Sequence, residues 1–69
     1  MPTITVEGPP IKEIDKKREL VKEVTDAATK AFGLPKETII VVIKENLPEN
    51  VSVAGQLIVD RNKSSDESI

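Results

Sequence analysis

Polar and apolar residues alternate over Thr3-Ile4-Thr5-Val6-Glu7, a pattern that predicts a strand with Ile4 and Val6 on its covered face. Gly8-Pro9-Pro10 ends it. The period then becomes helical. Leu20, Val24, Ala27, Ala28 and Ala31 fall on one stripe, joined by Val21 and Phe32, while Lys22, Glu23, Asp26 and Lys30 face away. Asp15 is suited to cap the first turn, Gly33 to end the helix in a left-handed conformation, and Pro35 to prevent its continuation. The signals place the helix over about 16 to 32, with Asp26 and Lys30 as an i,i+4 pair. Over Thr38 to Lys44 the pattern changes again, to an unbroken apolar run from Ile39 to Ile43. A strand without alternation is expected to be covered on both faces, as in parallel sheets.

Strand, helix and covered strand make a single βαβ unit of the mixed α and β class, with parallel strands and a right-handed crossover. Two strands do not form a stable sheet alone. One face is covered by the helix, so the other is expected to be covered by another copy. After a loop from Glu45 to Asn50, Val51-Ser52-Val53 and Leu57-Ile58-Val59 flank a turn at Ala54-Gly55. These apolar pieces have little of their own chain to pack against and are assigned to subunit contacts. The reading is therefore one domain over residues 1–61 and a polar, disordered tail over 62–69.

Composition sharpens the oligomer argument. Among 69 residues, Phe32 is the only aromatic and there is no Cys to form disulfide staples. A chain of this size buries only about 60% of the surface it exposes when unfolded, so association is the remaining remedy. Ten Lys plus Arg against 12 Asp plus Glu leave a net charge of -2, which argues against nucleic acid as a partner. No run is long and apolar enough to span a membrane and no secretory signal opens the chain, so a cytoplasmic protein is expected. The lack of His and Cys removes the usual zinc sites and Ser-His or Cys-His catalysis. Neither metal nor cofactor is implied. Glu13, Asp15, Glu19 and Glu23 lie along the helix among lysines and read as a solvated face.

The chain opens Met1-Pro2. Removal of Met1 would leave Pro2 with a free secondary amine, rigidly held at the start of a strand. An α-amine titrates near ~7.7–8 and a Lys amine near ~10.4, so a chain terminus is the easier amine to hold neutral. An apolar site and a neighbouring cation would favour its neutral form further.

Pro2 opening an alternating strand, the cation Lys12, the segment Lys17-Arg18-Glu19-Leu20-Val21-Lys22-Glu23-Val24-Thr25, then Pro35, the run Ile39 to Ile43 and Val53-Ala54-Gly55-Gln56-Leu57 together resemble the 4-oxalocrotonate tautomerase family. The resemblance runs without a gap from Pro2 to about Asp60. It implies a βαβ subunit assembled as a homohexamer, a trimer of dimers. It also implies that the amine of Pro2 is a general base moving a proton between enol and keto forms of a small anionic 2-oxo acid. At the family's first carboxylate-binding arginine this chain has Lys12, which keeps the charge but loses the bidentate fork. Ile40 stands at the second arginine, which the family lends to a neighbouring subunit's site, and Val51 at the pocket aromatic. Ile40 cannot polarise a carbonyl, whereas Val51 can still exclude water. Lys44 and Arg61 are alternative cations, at positions where solvated charges are common. The leading reading is a tautomerase with Pro2 as catalytic base, Lys12, Ile40 and Val51 lining the substrate site, and Lys12 also favouring neutral Pro2. Two others stand beside it: a non-catalytic oligomeric module of the same fold, and a Pro2-dependent hydratase, dehalogenase or decarboxylase.

Overall fold

The computed structural model describes residues 1–61; the tail expected to be disordered from 62 lies outside the described residues. The opening alternation forms β1 (Thr3–Gly8), followed by α1 (Ile14–Phe32) and β2 (Ile40–Glu45). β1 and β2 pair in parallel, with Thr3 opposite Ile40 and Gly8 opposite Glu45. Parallel pairing requires a crossover, which α1 provides. Ile4 and Val6 of β1 and Val41 and Ile43 of β2 are partly covered, while Thr3, Thr5, Ile40 and Val42 are exposed. The period of two therefore gives this sheet one helix-covered face and one open face.

The second strand starts later than its apolar run suggests. Lys36–Thr38 forms a 3-10 turn, in which Thr38 directs both its amide and its hydroxyl to the Pro35 carbonyl, at 3.0 and 2.8 Å. That turn removes Thr38 and Ile39 from the ladder. The helix begins earlier than expected, with Glu13 rather than Asp15 at the N-cap and no side-chain cap bond. Asp15 lies inside the first turn and accepts from Arg18 Nη1 at 2.7 Å. Asp26 and Lys30 form no ion pair within 4.0 Å; both are exposed, where solvation competes with pairing.

The covered stripe of α1 also differs in part from the sequence pattern. Leu20, Val21, Val24 and Ala28 face the strands, but Ala27, Ala31 and Phe32 are exposed. Ala27 is rotated about 100° from Ala28 and points aside. Ala31 and Phe32 have the right angle but overhang, because a 19-residue helix is about 28 Å long and a six-residue strand about 20 Å. Gly33 ends the helix at φ 67°, ψ 32°, its amide donating to the Thr29 carbonyl at 2.9 Å.

Beyond β2, a 3-10 turn at Pro48–Asn50 leads into the hairpin β3 (Ser52–Val53) and β4 (Gln56–Leu57). Its two-residue turn, Ala54-Gly55, has φ values of 54° and 81°, the twist of the primed turns that favour tight hairpins. Val53 and Leu57 are exposed along it, and so is Val59 in the helical residues 58–61 that follow. Among the described residues only Ala28 is buried, and the radius of gyration is 16.2 Å against about 11 Å for a compact chain of this length. No helix among them is long and apolar enough to cross a membrane.

Nothing lies within 4 Å of where a Cβ on Gly33 would stand, so a substitution there meets only the backbone cost of a left-handed residue. Gly33→Ala should destabilise by about 1 kcal/mol, read as a lower urea midpoint with unchanged slope. An equal midpoint would show that the helix end relaxes without needing the left-handed cap.

Candidate active site

Pro2 precedes β1, and its carbonyl accepts the Ile40 amide at 2.9 Å, so both residues sit at the end where the parallel pair starts. Their side chains diverge. Pro2 is half-buried in phase with Ile4 and Val6, whereas Ile40 is 39% exposed on the open face. That orientation leaves the Ile40 side chain available to a neighbouring molecule and removes it from its own Pro2.

Lys12 lies at the other end. It is exposed in the connection between β1 and α1, and the preceding amide, Ile11 N–H, donates to Glu45 Oε2 at the close of β2. Ile40 and Glu45 are five residues apart on one strand, which at ~3.3 Å per residue is about 17 Å. A lysine side chain reaches only about 6 Å from its Cα. Pro2 and Lys12 of the same chain thus do not meet over one small molecule. Val51 belongs to the Lys12 end. With Glu7, Gly8, Pro9, Asn46, Pro48 and Ile58 it lines a cleft of about 350 Å³, of which Lys12 is not a lining residue. Asn46 closes this corner, its amide donating to the Gly8 carbonyl at 2.9 Å and its side chain to Glu7 Oε2 at 2.7 Å.

The four residues singled out from the sequence therefore divide into two pairs, Pro2 with Ile40 and Lys12 with Val51, at opposite ends of one strand pair. Lys44 stands opposite Glu7 in the ladder and is exposed, as is Arg61. Among the described residues no three His, Cys, Asp or Glu side chains converge as a metal site would require. The carboxylates of the first half of α1 are exposed. One charged group escaped the sequence reading: Glu45, whose Oε1 accepts from Lys17 Nζ at 2.8 Å. Neither spacing nor periodicity signals it, because its partners are 28 and 34 residues away. The Lys17 ammonium, helped by the Ile11 amide, holds the Glu45 carboxyl below its ordinary range.

Comparison with known proteins agrees with this architecture. A family model described as tautomerase enzyme matches residues 2–61. The chain is 35% identical over 60 residues to a 2-hydroxymuconate tautomerase of Bacillus subtilis strain 168, covering 87% of this chain and 97% of that protein. Among solved structures, DmpI from Archaeoglobus fulgidus is 39% identical, with a TM-score of 0.77 over 86% of this chain and all of the other. TomN, a 4-oxalocrotonate tautomerase homologue of the tomaymycin biosynthetic pathway, is 28% identical with a TM-score of 0.85, covering 93% and 98%.

The depressed Glu45 titration carries a pH dependence. Its contribution to stability is complete above the ordinary carboxylate value of 4.5 and is lost as pH falls through the lower folded value, because the unfolded chain binds the proton more readily. The urea midpoint of Glu45→Gln should accordingly fall below wild type at pH 6 and approach it as the pH is taken below the ordinary value of 4.5 and through the lowered folded one. A gap that stays constant over this range would show that the ion pair adds nothing.

Proposed function

The chain belongs to the tautomerase family, and on that premise we propose that it is an isomerase interconverting enol and keto forms of a small 2-oxo acid, with the Pro2 amine, exposed once Met1 is removed, as general base. The observation that carries this reading is the position of Pro2. The family match begins at this residue, and the bond from the Ile40 amide to its carbonyl anchors it at the mouth of β1. A neutral secondary amine there takes the proton from the enol hydroxyl while the carbon–carbon π electrons shift, and the resulting ammonium returns a proton to carbon. The net change is isomerisation, with no other reactant.

The substrate carboxylate is assigned to Lys12 and the apolar wall to Val51. Their separation from Pro2 within one chain means that a complete site draws its halves from two copies. Ile40, on the open sheet face, adds an apolar wall to a neighbour's site instead of a cation, which favours substrates with one carboxylate to anchor rather than two. Covering that face also answers the stability problem. Transferring an exposed Val or Ile side chain fully from water contributes about 1.5–3 kcal/mol, and Ile40, Val42, Val53, Leu57 and Val59 are all 39–50% exposed in the single subunit. The assembly proposed is a homohexamer.

With Met1 absent by intact mass, the protein should convert the enol of phenylpyruvate to its ketone, and Pro2→Ala should lower kcat by about 10²–10⁴. Equal rates for wild type and variant would leave the non-catalytic module as the better reading.

The two-copy site makes a sharper prediction. Pro2→Ala and Lys12→Ala proteins, unfolded together and refolded as a mixture, should regain activity, with about a quarter of sites complete by random association of equivalent subunits. Sedimentation at micromolar concentration should show the parent species at several times 7.5 kDa. A folded monomer, or a mixture no more active than its parts, would contradict the shared site.

A further inference from the structure

The connection carrying Lys12 contains Pro9 and Pro10, neither of which has an amide hydrogen to donate. Its first donor is the Ile11 amide, taken by Glu45 Oε2. The other carboxylate oxygen binds Lys17 Nζ, on α1, at 2.8 Å. Glu45 ends β2 opposite Gly8, so one side chain joins the connection, the helix and the sheet. Among the described residues no other side chain hydrogen-bonds to residues 9–13, and the Glu13 N-cap has no side-chain partner either. Lys12 itself has no carboxylate within ion-pair distance among them. The carboxylate that holds the Ile11 amide is paired with Lys17 and Asp15 with Arg18, so neither engages the Lys12 charge.

We infer that Glu45 is a positioning residue: through the Ile11 backbone it sets where the Lys12 ammonium meets the substrate carboxylate. The inference rests on Lys12 being that anchor. Its effect belongs in binding rather than in proton transfer, since it acts on the placement of Lys12, assigned to the substrate carboxylate, and makes no bond to the amine assigned to carry the proton. It should also be moderate. A lysine stem can swing to recover part of a displaced contact, whereas rigid misplacement by 1 Å can cost about 10²-fold.

The test measures KM and kcat of the full chain on the enol of phenylpyruvate and on its methyl ester, for Glu45→Ala and Glu45→Gln in wild-type and Lys12→Ala backgrounds. Glu45→Ala should raise KM for the acid about fivefold with kcat within about twofold, and leave the ester unchanged. Glu45→Gln keeps an oxygen for the Ile11 amide and should restore most of the acid KM. In the Lys12→Ala background neither substitution should raise KM further, because the group being positioned is gone. If Glu45→Ala does not assemble, Ile11→Pro removes the donor while keeping the Lys17–Glu45 pair, and should raise the acid KM in the same way. Glu45→Ala or Ile11→Pro proteins with wild-type acid KM, or a rise equal for acid and ester, would overturn the positioning role while leaving the anchor intact. An unchanged acid KM in Lys12→Ala alone would overturn the anchor, and this inference with it.

Discussion

The parallel pairing of β1 with β2 under a single helix is the constraint on which the rest of the molecule depends. A two-stranded parallel sheet has two faces, and one 19-residue helix covers only one. The consequence is visible in the packing: Ala28 alone is buried among the described residues, while Ile40 and Val42 stand 39% and 41% exposed on the open face. Surface ion pairs cannot make up the difference, since an exposed pair contributes about 0–1 kcal/mol and one fully covered aliphatic side chain contributes more.

The same pairing sorts the chemistry. In a parallel unit both strands begin at one end and finish at the other. Residues before β1 and at the start of β2 therefore gather together, and residues after both strands gather about 17 Å away. Pro2 with Ile40 and Lys12 with Val51 follow this division. Covering the open face and, on the proposed assignment of Pro2 and Lys12, bringing the two groups together call for the same remedy, a second copy.

Glu45 illustrates how a subunit with little core still places a charged side chain. The bond it forms with the Ile11 amide and Lys17 is partly exposed and modest in energy. It is made, however, where two prolines leave the connection short of donors. A weak interaction decides position where few others compete.

The strand alternation at Ile4 and Val6, the helical stripe through Leu20, Val24 and Ala28, the left-handed stop at Gly33 and the apolar run of β2 were all legible in the sequence. Each is set by backbone period, cap chemistry or side-chain shape over a few neighbouring residues. The order of Pro2, Lys12, Pro35 and Val53-Ala54-Gly55-Gln56-Leu57 likewise pointed to the family. Local pattern was less reliable where two nearby options compete, as at the helix start, where Glu13 displaced Asp15, and at Thr38, drawn into a turn by the Pro35 carbonyl. It also over-extended the covered stripe, because period gives the angle of Ala31 and Phe32 but not the length of the sheet beneath them. Only the tertiary structure decided that Ile40 comes beside Pro2 and that Glu45 reaches Ile11 and Lys17. Those relations depend on how chain segments some 30 residues apart are brought together, and side-chain period carries no information about distance across a fold.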